Sequence, residues 1–130
     1  MARSVIPYTF KYQDDKLLFT ELDLIVQIMF LDICKYCEER DWPSPIVTST
    51  IRGKLPISIS DTHGEGRAID FRSWSFTRME IELLLAYVNG KYAEKFGTGP
   101  VGCAQIKCLV YEETEGNEHF HLQTIRDYLL

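Results

Sequence analysis

Leu22 to Cys37 is the most apolar run of the chain, and it is interrupted by Asp23, Gln27, Asp32 and Lys35. Those polar and charged residues are incompatible with an uncharged membrane span. Leu22, Ile25, Met29, Ile33 and Tyr36 recur at three- and four-residue intervals, which is the signature of a helix with one face in a core. The pattern predicts a helix capped by Thr20, with Asp23 at N3, that stops near Trp42-Pro43.

Short extended segments follow. Ile46 to Ile51 is β-branched and predicts a strand running into Arg52-Gly53. Ile57 to Ser60 alternates apolar and polar residues as a short strand or extended arm, and Asp61 to Gly66 carries two glycines and reads as a loop. Ala68 to Phe71 is the next strand. Thr77-Arg78-Met79-Glu80 is a capping-box pattern opening a second helix through Ile81, Leu84, Leu85, Val88 and Tyr92. Beyond Gly97-Thr98-Gly99-Pro100, Cys103 to Tyr111 reads as strand, Glu112 to Asn117 as a polar loop, and His119 to Ile125 as a strand. The fold class expected is α+β, a small antiparallel sheet carrying two packed helices.

The chain has 130 residues, 45% of them hydrophobic, which suits a single domain over residues 1–130. Its formal charge of −5, with no Lys/Arg block, argues against a general nucleic-acid clamp. The N-terminal stretch reaches Lys11 and Asp14-Asp15 before any long apolar run. No secretory signal and a cytosolic species at synthesis are therefore expected. Cys34, Cys37, Cys103 and Cys108 invite an all-thiolate zinc site, but the second pair has CxxxxC spacing, and Cys34 and Cys37 lie within an apolar helical pattern. Reduced core thiols are the favoured reading.

The chemistry concentrates elsewhere. All three histidines of the chain fall beside acidic residues in two short polar segments, Asp61 to Asp70 and Asn117 to His121. A catalytic zinc ion takes three protein ligands and keeps an open position. His63, Asp70 and one of His119 and His121 fill that quota. Gly64 and Gly66 favour a loop that folds back and brings His63 to Asp70. His119 and His121 share a parity on a strand and face the same way, so spacing does not decide between them. Glu118, three residues before His121, suits a general base that takes a proton from water as it attacks a carbonyl and returns it to the leaving amine.

His63-x-x-Gly66-x-Ala68-x-Asp70, followed by Glu118-x-x-His121, resembles the zinc D-Ala-D-Ala carboxypeptidase and L-alanyl-D-glutamate endopeptidase family, over Val47 to Gln123. That resemblance implies the hedgehog/DD-peptidase fold, Zn2+ held by His63, Asp70 and His121, and Glu118 as the catalytic base. It also sets Ser49-Thr50-Ile51-Arg52 in place of the family's Ser-Gly-Tyr-Arg-like stretch, making Arg52 the candidate for holding the substrate carbonyl or the developing oxyanion. Asp61 stands where the family usually has Ser, and Phe120 where it usually has Trp.

The implied function is hydrolysis of an amide bond in peptidoglycan stem peptides, as in phage endolysins that degrade the cell wall, by a monomer released to the wall through a separate membrane-permeabilising partner. A D-Ala-D-Ala dipeptidase or carboxypeptidase, and a metal-holding structural or binding module without turnover, are the alternatives. Arg67 and Arg72 flank the motif and could attract a peptide carboxylate, of which stem peptides carry several, but salt-bridged surface arginines are the favoured reading for each. Trp42 and Trp74 read as packing pieces.

Overall fold

A computed structural model describes residues 9–11, 19, 22–50, 66–97, 107–113 and 118–125. In chain order they form β1 (Thr9–Phe10), α1 (Leu24–Glu39), β2 (Ile46–Ser49), β3 (Ala68–Arg72), α2 (Arg78–Val88), a π-helical turn (Asn89–Ala93), the single turn α3 (Glu94–Phe96), β4 (Leu109–Glu112) and β5 (His119–Gln123). The strands make one sheet in the order β1-β2-β3-β5-β4. Four of them are antiparallel neighbours, and β1 joins the edge in parallel through Thr9 N–H to Pro45 O and Lys11 N–H to Val47 O.

Asp23, rather than Thr20, caps α1. Its carboxylate accepts from Ile25 N–H at 2.9 Å, where an acidic side chain meets both the orphan amides and the positive end of the helix dipole. Thr20 lies outside the described residues. The helix ends at Glu39, a little earlier than expected, because Asp41 turns left-handed with φ 57°, a conformation that short polar side chains tolerate. The capping box of α2 is present in full: Thr77 Oγ1 accepts from Glu80 N–H, and Glu80 Oε1 accepts from Thr77 N–H.

The π turn had no counterpart in the periodicity. It is tied down at both ends. Asn89 takes backbone N–H groups of Cys108 and Leu109 on Oδ1 and gives Nδ2–H to Leu109 O, which secures the start of β4. Lys91 Nζ and Tyr92 Oη donate to Asp32 Oδ2 at 2.7 and 2.6 Å, and Tyr87 Oη donates to Asp32 Oδ1 at 3.0 Å. Tyr36, which periodicity assigned to the core face, is half-buried against the core, stacks on Tyr87 and takes Trp42 on its edge.

Burial alone pushes the Asp32 carboxyl upward, but donation from Lys91, Tyr92 and Tyr87 outweighs it and holds the group below its ordinary value of 3.8. The stabilisation is therefore complete above that value and fades as pH falls through the lower, folded one. Asp32→Asn is expected to cost about 1–2 kcal/mol at neutral pH. In urea titrations between about pH 2 and 6, the gap between the two proteins should be flat at the upper end and shrink towards the acid end. A gap of constant size throughout would remove the ionised carboxylate from that role.

Strand alternation sorts the sheet into two faces. Val47, Ile69, Phe71, Leu109, Phe120 and Leu122 are fully buried with the apolar stripes of the helices, including Val26, Met29, Phe30, Ile33, Ile81, Leu84 and Val88. Phe71 and Phe120 stack at 4.8 Å between ring centroids, with Phe30 edge-on to Phe71 and Phe76 edge-on to Phe120. The other face carries Asp70, Arg72, His119, His121, Gln123 and Glu112. Among the described residues no helix is long and apolar enough to cross a membrane.

Candidate metal centre

Register brings the polar residues together. On neighbouring antiparallel strands, directly opposed residues lie on the same face a few ångströms apart. Here Asp70 of β3 stands opposite His121 of β5, and Val110 of β4 stands on the far side of His121. One step along, Arg72, His119 and Glu112 form a second row across the same three strands.

Within the first row, His121 Nδ1 lies 2.8 Å from Asp70 Oδ1, and His121 Nε2 lies 2.8 Å from Gln123 Oε1. Asp70 accepts from the ring at Nδ1, and the other ring nitrogen is held by the Gln123 side chain, so the Asp70 carboxylate favours the charged form of the ring. Burial pulls the pKa of His121 down; the hydrogen bond and charge of Asp70, with Gln123 and Glu112 behind them, outweigh burial and raise it. Asp70 is 3% exposed and Gln123 5%. A buried carboxylate is expensive without a cation or donors, and the hydrogen bond from His121 offsets that expense.

His119 completes the cluster at longer range. Its Nε2 is 3.8 Å from Asp70 Oδ2 and 3.9 Å from Glu112 Oε2, while Glu112 Oε1 is 3.9 Å from His121 Nδ1. The shared parity of His119 and His121 holds, and register sets them apart: His121 stands directly opposite Asp70. Glu112 and Gln123 were missed in the sequence. Glu112 is the last residue of β4, not the first of a loop, because the β4–β5 ladder continues out to the Glu112–His119 pair. That pairing is a matter of hairpin register, which no local signal in the sequence sets. Gln123 has the parity of His121, two residues on.

Glu118 sits immediately before β5, half-buried, where its carbonyl accepts from Ser73 Oγ at 2.9 Å. Among the described residues its carboxylate makes no ion pair with either histidine; the carboxylates that do are Asp70 and Glu112. His63, Arg52 and Asp61 lie outside the described residues. Gly66, the last residue of the glycine loop, has φ 73°, a left-handed turn into β3 that favours glycine. Its carbonyl accepts from Asp23 N–H at 2.7 Å, so the motif strand is tied to the cap of α1.

The flanking arginines have distinct settings. Arg67 Nη1 donates to the Thr124 carbonyl at 2.8 Å, bracing the ends of β3 and β5. Arg72, expected to be salt-bridged, has no carboxylate partner among the described residues; its guanidinium lies over the Trp74 ring at 4.8 Å. Trp42 is a packing piece, as expected, whereas Trp74 is 66% exposed.

Cys34, Cys37 and Cys108 are buried free thiols. Burial pushes Cys34 upward and Cys37 and Cys108 up to about 12, with Glu80 adding to the effect at Cys37. They stay protonated at neutral pH and behave as small core hydrophobes. Cys103 lies outside the described residues.

Among the described residues, no three His, Cys, Asp or Glu side chains are arranged to hold one ion. Two of the three expected ligands are in contact. No known family, curated protein or solved structure matches the chain.

Proposed function

We propose that the chain is a zinc-dependent peptidase of the hedgehog/DD-peptidase fold that hydrolyses an amide bond in peptidoglycan stem peptides, in the manner of an endolysin acting on the cell wall after release from the cytosol. The observation that carries this reading is the Asp70–His121 pair. Two residues far apart in the chain place lone-pair donors 2.8 Å apart in a buried setting. Ligand atoms of a tetrahedral zinc ion, with bonds of roughly 2.0–2.2 Å, stand about 3.3–3.6 Å apart, so the pair would open by roughly 0.5–0.8 Å to admit one. An ion here takes the place of the Nδ1 proton.

The surroundings fit as well. A metal-ligating histidine usually gives its other N–H to a carbonyl or carboxylate, which fixes ring orientation and raises ligand basicity. Gln123 Oε1 accepts from His121 Nε2–H in that manner. His63 is the proposed third ligand. Among the described residues the free thiols are packed in the core, and the polar face offers imidazole and carboxylate as ligands.

When bound, zinc supplies Lewis-acid polarisation and brings the pKa of a water down to about 7. Glu118 is assigned the proton transfer: its carboxylate accepts a proton from the attacking water and returns it to the leaving amine. Arg52 is assigned the substrate carbonyl or the oxyanion that develops from it. Asp70 and His121 have the further task of holding their own geometry, and the β3–β5 ladder beneath them makes it rigid.

The decisive experiment is elemental analysis of the purified protein combined with digestion of peptidoglycan before and after chelation. About one zinc per chain is expected, with hydrolysis lost on chelation and restored by added zinc. Metal-free protein with full activity would end the metallopeptidase reading.

A further inference from the structure

Arg72 is the unexplained charge of the polar face. It lies two residues along β3 from Asp70, on the same side of the sheet by alternation, and opposite His119 in the ladder. Among the described residues its guanidinium meets the ring of Trp74, 4.8 Å away. Among the described residues no carboxylate pairs with Arg72, although Glu112 closes the same row on the other side of His119. Trp74 is 66% exposed. A large indole left in water beside the polar face is not a contribution to the core. A guanidinium carried over an aromatic ring is restrained there by the ring's π face, and its planar fork of N–H groups is suited to receiving a carboxylate through two parallel hydrogen bonds.

We propose that Arg72, supported on Trp74, is a carboxylate-binding subsite for a peptide lying across the Asp70–His121 centre. The sign of the row sets its direction. Glu112 lies two interstrand spacings from Arg72, about 10 Å, and repels an anion from the β4 side, so the carboxylate belongs on the β3 side. Two residues along a strand is about 7 Å. With an extended peptide advancing about 3.3–3.6 Å per residue, the bound carboxylate belongs one or two residues from the amide that is cut. Such a carboxylate has two sources in a stem peptide, the free α-carboxylate of a γ-linked glutamate or the C-terminus. For its substrate the inference rests on the peptidase reading; for the subsite it does not, since binding is measured without turnover.

The test is calorimetry with the full-length protein and an alanyl-γ-D-glutamyl-lysine tripeptide in three forms: free acid, glutamyl α-amide and C-terminal amide. One of the two amides is expected to bind at least about tenfold more weakly than the free acid, and which one it is names the source of the carboxylate. Arg72→Gln should bring the free acid down to the level of that amide while leaving the amide itself unchanged, with zinc content as in the wild type. Arg72→Lys should restore affinity only in part, because an ammonium does not reproduce the planar fork. Equal binding of all three peptides, no binding at all, or wild-type affinity in Arg72→Gln each overturns the subsite. Arg72-dependent selectivity in a protein that cuts none of the peptides would overturn the peptidase reading and leave the subsite standing.

Discussion

His121→Ala is expected to lower zinc affinity by more than about 100-fold, beyond the 10–100-fold that removal of an outer hydrogen-bond partner typically costs. The substitution deletes a ligand atom, and it also strips the buried Asp70 carboxylate of the imidazole that neutralises it. His119→Ala should cost far less, because His119 Nε2 stands 3.8 Å from the nearer Asp70 oxygen where His121 Nδ1 stands at 2.8 Å. Gln123→Ala should fall between them, as the loss of the acceptor that orients the ring. Competition with a chromophoric chelator gives the three affinities, and thermal melts of the metal-free proteins separate ligand loss from misfolding. Because an ion displaces the Nδ1 proton, and that proton is held above the ordinary histidine value, affinity should climb with pH through the neutral range. His119→Ala losing zinc more severely than His121→Ala would reassign the ligand.

Glu118→Ala is expected to keep its zinc and lose hydrolysis by about 10²–10⁴-fold, the usual contribution of a positioned general base. The comparison that gives this weight is Glu112→Gln. Glu112 presents one oxygen to each histidine at 3.9 Å, whereas the Glu118 carboxylate makes no ion pair with either among the described residues. If Glu118 is the base, Glu112→Gln should change the rate by much less than Glu118→Ala, at unchanged metal content. Single-turnover digestion of a purified stem peptide measures both. The opposite ranking moves the proton transfer to Glu112, which lies on the face of the sheet that carries the proposed centre.

Much of the architecture was legible because it depends on local chemistry. The α2 capping box reads directly from Thr77 and Glu80, since both hydrogen bonds close within one turn. The core faces of β3 and β5 follow from alternation, and Ile69, Phe71, Phe120 and Leu122 are all fully buried. Where local signals compete, the reading slipped. Both Thr20 and Asp23 are good caps, and only Asp23 is placed to meet the Ile25 amide. β1 escaped notice because two residues carry no period, and its pairing with β2 is supplied by a partner far along the chain. The π turn was invisible for the same reason: Asn89 and Asp32, which anchor it, belong to contacts with β4 and α1.

For the candidate centre, sequence alone determined which chemistry was present: imidazoles and carboxylates gathered into two segments, with His119 and His121 on one side of a strand. That much follows from residue type and a two-residue period, which are local quantities. Only the tertiary structure decided that His121 stands directly opposite Asp70, that His119 meets the same carboxylate at longer range, and that Glu112 joins them. Each of those depends on the register between strands, and a one-residue slip would turn every one of these side chains to the other face. Register is set by the burial of Phe71 and Phe120 against the helices together with the ladder itself, so it is a property of the packed sheet and of no single segment.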